Sequence, residues 1–179
     1  MKLKIILLFL LSCTFASFSQ TLLQNKTASE ITFKIKNFGL NVGGVFKDFT
    51  ISSNFNSVNI KACFFNAEIS VKSIFTDSEG RDKHLLESDY FDVEKHSKIV
   101  FESTTIEKTT NSNYLLKGFL TIKGVKKRVA TTLDVIESKS EIRLLANFSL
   151  NRRDFGVGSN SFVLSDEVNI KMIYVATKN

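Results

Sequence analysis

The side chains that could support metal binding lie between positions 77 and 99, but their spacing is unsuitable for it. The chain has two histidines, His84 and His96, and neither belongs to a Cys-x-x-Cys or His-x-x-x-His pattern. A protein metal site of the zinc type needs three or four converging ligands. The sequence therefore predicts no metal site. It leaves His84 either as a hydrogen-bonding group for a ligand or as a surface histidine paired with Asp82 or Glu87.

Four carboxylates in the same stretch could in principle form an acid–base pair, namely Asp82, Asp89, Asp92 and Glu94. Each has charged and hydrated neighbours in the sequence, whereas a general acid needs surroundings that raise its pKa. No Gly-x-Ser-x-Gly nucleophile motif occurs, and Gly156-Val157-Gly158 precedes a loop instead of the helix of a dinucleotide-binding turn. We therefore expect a protein that is not an enzyme and has no resident cofactor.

Residues 1–19 have the pattern of a secretory signal peptide. A basic start (Met1 to Lys4) precedes the apolar run Ile5 to Leu11, which is shorter than the ~20 residues needed to span a bilayer. Small residues at Ser17 and Ser19 favour cleavage near Ser19 and a periplasmic or secreted protein. The alternative is a lipoprotein anchored at Cys13, which follows Leu10-Leu11-Ser12.

The remaining chain, residues 20–179, is long enough for one domain with its own core. Removing Lys2 and Lys4 leaves 22 basic and 18 acidic residues, a net charge of +4. Basic runs such as Lys126-Lys127-Arg128 are single turns and not a stripe, so nucleic acid is not a predicted partner. Cys63 remains without a second cysteine, so no intramolecular disulfide is expected, and its strand context favours a buried apolar role.

Most of this chain alternates between apolar and polar residues, which is typical of half-buried antiparallel strands. Between the first and second strands, Phe38 to Gly44 interrupts the pattern, and the paired glycines suggest a bulge or sharp bend. The turn between the fifth and sixth strands is expected at Gly124 to Lys127. The predicted strands are Glu30 to Asn37, Val45 to Ser53, Ile60 to Ile74, Lys98 to Ile106, Tyr114 to Lys123, Arg128 to Glu137, Ile142 to Leu150 and Asp166 to Thr177.

One segment, at about residues 78–88, reads as a short amphipathic helix instead of a strand. Asp77 is the expected N-cap, and Glu79 suits the positive end of the helix dipole. Leu85 and Leu86 form its apolar side. The helix is either a lid at the mouth of a barrel or a surface crossover carrying an ion pair.

About eight antiparallel strands with short turns predict an all-β, up-and-down, lipocalin-like barrel. A barrel of ~8 strands is just wide enough to be filled by side chains or to hold one slim ligand. A two-sheet sandwich has the same alternation and stays an alternative.

Several segments in order along the chain resemble the YceI-like family, bacterial periplasmic lipocalin-like barrels that bind polyisoprenoid chains. Ser97 stands where the family usually has proline, and Asn37 where it often has histidine. The matching segments are Phe46 to Phe49, Arg81 to Leu85, Tyr90 to Lys95, Ile99 to Ser103, Leu120 to Val125, Asn151 to Gly158 and Ser165 to Val168.

This resemblance implies a carrier or sequestering protein whose apolar interior holds an isoprenoid lipid or quinone. It also implies only transient membrane contact, and a homodimer is compatible with it. Arg81 and His84 are the expected headgroup contacts. The alternative is a structural or stress-response barrel with a filled core and a protein partner. The expected lining consists of Phe33, Ile35, Phe46, Phe65, Ile69, Leu85, Phe91, Ile99, Phe101, Leu120, Ile122, Leu133, Phe148, Val168 and Ile170.

Overall fold

The computed structural model describes residues 21–178. The expected signal peptide and the alternative lipidation site at Cys13 lie outside the described residues, so both stay predictions. Within residues 21–178, no helix combines the length and the hydropathy needed to cross a membrane.

The described chain contains eleven strands, one α-helix and three single-turn 3-10 segments. The helix, α1, is Glu79–Leu86, and the 3-10 segments are Ile60–Ala62, Val71–Ser73 and Arg152–Phe155. The strands are β1 (Leu23–Gln24), β2 (Glu30–Asn37), β3 (Leu40–Phe46), β4 (Phe49–Ser53), β5 (Phe65–Ser70), β6 (Ile74–Phe75), β7 (Lys98–Lys108), β8 (Asn113–Ile122), β9 (Val125–Glu137), β10 (Glu141–Asn151) and β11 (Leu164–Thr177).

The sheet closes on itself through one bent hairpin. Only Lys47 and Asp48 separate β3 from β4, and Val71–Ser73 separates β5 from β6. Therefore β3 and β4 together form one bent strand, and β5 and β6 form another. β4 pairs with β5, and β3 pairs with β6. On their outer sides β3 pairs with β2 and β5 with β7, while β7 to β11 follow in order and β11 returns to β2. The predicted all-β antiparallel barrel is confirmed, with β1 as a short addition to β11.

The bend in this hairpin explains why two predicted strands are divided. At the level of Lys47 and Asp48, the Ser70 N–H donates to the Asp48 carbonyl at 3.0 Å, and the Lys47 N–H donates to the Ser73 carbonyl at 3.1 Å. Both bent strands therefore change direction at the same level of the barrel. The single strand predicted over Ile60 to Ile74 is wrong, because 3-10 turns occupy its start and this bend.

The predicted bulge at Gly43 and Gly44 is also wrong. β3 runs through both glycines in regular register with β2, and the chain reverses instead at Phe38 and Gly39, whose φ angles are 49° and 77°. Gly44 serves a packing role, because a Cβ at this position would overlap the Phe33 ring. A second two-residue turn lies at Lys123 and Gly124, so it begins one residue before the predicted turn, and β9 begins at Val125 and not at Arg128.

One end of the barrel is filled by large side chains. Tyr114, Leu133 and Tyr174 are fully buried there. The Phe65 ring meets the Tyr174 ring edge-on at 5.7 Å between centroids, and Phe55 meets Tyr114 in the same way at 5.0 Å. The alternative of a filled core is therefore correct for this end of the barrel.

The Tyr174 hydroxyl is buried in this filled end and has no hydrogen-bond partner among the described residues. Because burial disfavours the phenolate, it raises the pKa of Tyr174 from 10.0 to about 12. The unfolded chain then loses this proton near pH 10, while the folded protein keeps it until about pH 12.

We expect Tyr174→Phe to reduce the loss of stability at high pH. The raised pKa contributes stability that is fully present below pH 10.0 and is lost as the pH rises to about 12. Urea unfolding at pH 9, 10 and 11 should show a smaller decline for the variant than for the parent protein. Equal declines in the two proteins would contradict the assignment of this effect to Tyr174.

Candidate functional site

The opposite end of the barrel contains a cavity of about 290 Å³ beneath α1. Five polar side chains reach it, namely Asn37, Thr76, Arg81, His84 and Arg152. The rest of its wall is apolar or aromatic, formed by Phe33, Ile35, Val42, Phe46, Ile74, Leu85, Tyr90, Phe91, Ile99, Ile122, Leu150, Phe155, Val157, Leu164, Val168 and Ile170.

The structure brings nine of the fifteen expected lining residues to this cavity, together with the expected headgroup contacts Arg81 and His84. The nine are Phe33, Ile35, Phe46, Leu85, Phe91, Ile99, Ile122, Val168 and Ile170. The other six do not line this cavity, and their predicted contact with a ligand stays a prediction. These six are Phe65, Ile69, Phe101, Leu120, Leu133 and Phe148.

These six residues do not line the cavity because their side chains pack against other side chains within the barrel wall or the filled end. Phe65 and Leu133 belong to the filled end beside Tyr174 and Tyr114. The Phe101 ring lies over Gly118, with Cζ 2.6 Å from where a Cβ of that glycine would be. Ile69 and Leu120 are buried, and Phe148 is half-buried against the core. Ile69 and Leu120 pack in the core near Ile99 and Phe101, their respective cross-strand partners.

The helix that covers the cavity begins one residue later than the sequence predicts. Ser78 is its N-cap, and Asp77 instead takes the left-handed conformation with φ of 60°. Aspartate tolerates this conformation better than most residues, so Asp77 turns the chain from β6 into α1. Leu85 and Leu86 are half-buried against the core.

A hydrogen-bonded group of three residues fixes the polar side of the cavity mouth. The Thr76 backbone N–H donates to Asp82 Oδ1 at 2.9 Å, and the Thr76 hydroxyl donates to the same oxygen at 2.5 Å. Arg81 Nε then donates to Thr76 Oγ1 at 2.8 Å. This arrangement holds the Arg81 guanidinium at the mouth while leaving it exposed, so the remaining N–H groups can meet a ligand.

His84 stands beside Arg81 at the mouth and pairs with Glu87, one of its two expected partners. His84 Nδ1 lies 2.9 Å from Glu87 Oε2, and the imidazole ring meets the Tyr90 ring edge-on at 4.7 Å. The side chain is 55% exposed. Its second ring nitrogen has no partner among residues 21–178, so it can hydrogen-bond a polar group that enters the mouth.

Arg152 lines the cavity, although the sequence did not place it among the expected site residues. Its side chain is 4% exposed, and it forms an ion pair with Asp166 at 2.7 Å. The guanidinium also donates to the backbone carbonyls of Ser165, Val157 and Ser159 at 2.9 to 3.1 Å. One buried cation thus ties the loop after β10 to the start of β11 and forms part of the cavity wall.

Across positions 21–178, no three His, Cys, Asp or Glu side chains converge as metal ligands would. Burial raises the pKa of the Cys63 thiol, which makes the thiolate scarce at neutral pH. Asp82 is engaged with Thr76, and Asp92 pairs with Lys95 at 3.2 Å.

We expect Arg152→Ala to destabilise the protein by about 3 kcal/mol, because it leaves the Asp166 carboxylate and several carbonyls without their donor. Arg153→Ala is the matched control, since Arg153 is exposed and its guanidinium makes one long contact, to Asn160 at 3.4 Å. That change should cost less than about 0.5 kcal/mol. Urea unfolding of both variants measures the difference, and equal losses would contradict a special role for Arg152.

Comparison with known proteins identifies the relatives of this chain. A family model for the YceI-like domain matches residues 24–176. A UPF0312 protein of Ectopseudomonas mendocina is 34% identical over 100 residues, which cover 55% of this chain and 52% of the relative. The UPF0312 protein plu2095 of Photorhabdus laumondii is 36% identical over 107 residues, covering 59% and 55%. The chain thus spans about half the length of these relatives.

Solved structures share the fold. Burkholderia cenocepacia BcnA matches with a TM-score of 0.83 at 23% identity, over 86% of this chain and 99% of that protein. A Campylobacter jejuni YCEI protein matches with a TM-score of 0.72 at 27% identity, over 78% and 86%. A polyisoprenoid binding domain from Saccharophagus degradans matches with a TM-score of 0.70 at 15% identity, over 89% and 98%. Because the family model covers most of the chain and the barrel agrees with it, this protein belongs to the YceI-like domain family.

Proposed function

We propose that this protein binds the apolar chain of an isoprenoid lipid or quinone in the cavity beneath α1 and acts as a carrier or sequestering protein. The observation that carries the proposal is the cavity itself, which is walled almost entirely by apolar and aromatic side chains. The shared fold of the S. degradans polyisoprenoid binding domain supports it. The proposal assigns no catalysis and no resident cofactor to the protein.

The cavity suits a slim chain. Its volume of about 290 Å³ lies at the lower end of the ~300–1,000 Å³ typical of small-molecule sites. Along β2 it extends from Phe33 to Asn37, which is ~13 Å at the rise of a strand. Each CH₂ group moved from water into such a wall contributes about 0.8 kcal/mol. A short isoprenoid, or one end of a longer chain, gains affinity here without directed hydrogen bonds.

The polar residues at the mouth suit the headgroup of such a ligand. Asn37, Arg81 and His84 all reach the cavity, and Arg81 and His84 are exposed. Together they offer amide, guanidinium and imidazole groups, which can donate to carbonyl or hydroxyl oxygens. We infer that the tail lies towards the filled end and the headgroup stays at the mouth.

The site of action proposed here is the periplasm or the exterior of the cell. The support is the signal-like pattern of residues 1–19, with cleavage near Ser19. A lipoprotein anchored at Cys13 would act at the same side of the membrane.

We expect Val168→Phe to weaken ligand binding at least about tenfold, because the larger side chain occupies the cavity. Val100→Phe is the matched control, since Val100 lies between two inward residues on β7 and does not line the cavity. The measurement is titration of each protein with farnesol carrying a fluorescent anthraniloyl group. Mass spectrometry of an organic extract of the purified parent protein identifies any lipid that it already carries. Unchanged affinity in Val168→Phe, or a parent protein that neither carries nor binds an isoprenoid, would refute the proposal.

We further propose that α1 is a lid over the cavity and not a crossover brace. Leu85 lines the cavity, whereas Leu86 is equally half-buried on α1 but does not line it. The Phe91 ring, just beyond the helix, meets the Phe46 ring edge-on at 6.4 Å and so anchors this segment to the wall.

We expect Leu85→Ser to release the bound farnesol probe about fivefold faster, with little change in the melting temperature of the empty protein. Leu86→Ser is the control and should leave the release rate nearly unchanged. Stopped-flow release and thermal melts measure the two effects. A variant at position 85 with lower stability and an unchanged release rate would show that the helix is only a brace.

A further inference from the structure

Four apolar side chains at the mouth end of the barrel are exposed and form what we call the apolar rim. Phe38 and Leu40 are 74% and 73% exposed in the β2–β3 hairpin, and Phe162 and Val163 are 106% and 38% exposed in the loop before β11. The two segments are neighbours, because the Phe38 N–H donates to the Val163 carbonyl at 2.8 Å. Contiguous exposed apolar groups of this kind mark interaction surfaces.

Phe38 occupies an unfavourable position for its residue type. Its φ of 49° is in the left-handed region, where turns of this kind favour asparagine, aspartate or glycine and where a bulky residue is an outlier. The other two-residue hairpin turn has the same geometry, with φ of 48°, and there the position holds Lys123. An exposed phenylalanine at this turn therefore costs both backbone strain and apolar exposure, which indicates a role outside the fold.

The apolar rim is continuous with the cavity. Asn37 precedes Phe38, Leu164 follows Val163, and these two residues are opposite each other in the β2–β11 register. Both line the cavity. A surface that contacts the apolar rim would therefore lie directly against the cavity mouth.

Two cations flank the apolar rim. Lys36 is exposed two residues before Phe38, and Arg153 contacts Asn160, two residues before Phe162. Among residues 21–178, neither lies within ion-pair distance of a carboxylate. An apolar projection with basic neighbours suits an anionic lipid surface, where aromatic side chains enter the interface and lysine or arginine meets the headgroups.

We propose that the apolar rim docks onto an anionic lipid bilayer, with Phe38 and Phe162 in the interface and the cavity mouth facing the lipid. This inference rests on the proposed function, since it describes how a membrane-soluble chain reaches the cavity. The docking itself needs no ligand, so it can be tested separately.

The experiment is co-sedimentation with vesicles of phosphatidylcholine and phosphatidylglycerol at a 4:1 ratio. It uses the expected mature chain, residues 20–179. The test variant is Phe38→Asn with Phe162→Ser. The control is Val58→Ser with Ile136→Ser, which removes two residues of 93% and 60% exposure at the opposite end of the barrel. The test variant should bind the vesicles at least about tenfold more weakly, whereas the control should bind as the parent does.

Two further measurements distinguish the alternatives. Farnesol binding in vesicle-free buffer should be the same in the test variant as in the parent. If neither the parent nor either variant bound farnesol, the proposed function would be refuted, but the docking proposal would not. Replacing phosphatidylglycerol by phosphatidylcholine should weaken binding of the parent. Equal vesicle binding by parent and test variant would overturn the docking proposal. Size-exclusion chromatography with light scattering gives the oligomeric state of both proteins. A dimeric parent and a monomeric test variant would also overturn the docking proposal, because the apolar rim would then bind a second copy of the chain.

Discussion

The closure of eight strands into a ring fixes the width of the interior, and the size of each inward side chain then decides where space remains. At one end Tyr114, Leu133 and Tyr174 are fully buried and belong to a packed core. At the other end Val42 and Gly44 face the interior from β3, and the cavity of about 290 Å³ remains. Because interiors are otherwise close-packed, this division into a filled half and an open half is the physical basis of the proposed site.

The open half needs a separate support, because α1, the Arg152–Phe155 turn and the adjoining loops supply the part of its wall that the strands do not. Arg152 provides it by placing a buried cation among backbone carbonyls and the Asp166 carboxylate. A backbone hydrogen bond joins this loop to the segment after α1, because the Gly158 N–H donates to the Asp89 carbonyl at 2.8 Å. The covering helix is thus attached to the same framework as the cavity wall. Burying an arginine is costly unless its donors are used, and here the hydrogen bonds to the carbonyls and the ion pair with Asp166 offset that cost.

The sequence was sufficient for the fold class and for which strand residues face inward, but not for their depth in the barrel. Phe33 and Phe101 follow the same alternation, yet the first lines the cavity and the second lies over Gly118. Alternation has a period of two residues and contains no information on height along the barrel axis. The role of Arg152 was hidden for a different reason, since its carboxylate partner is Asp166, fourteen residues away, and not Asp154, two residues away. Contacts across a loop of this length depend on the closed barrel.

The small apolar cavity fits the proposed exchange of a lipid between the protein and a membrane. Moving an apolar chain from water into the cavity gains about 0.8 kcal/mol for each CH₂ group, but moving it from a bilayer gains little, since both environments are apolar. A carrier of this kind therefore works close to equilibrium with the lipid, and the main barrier is the passage through water. A deeper and wholly enclosed cavity would hold the chain more strongly but would also slow its return. An opening beside Phe38 that touched the bilayer, as proposed above, would shorten the aqueous passage without requiring stronger binding inside.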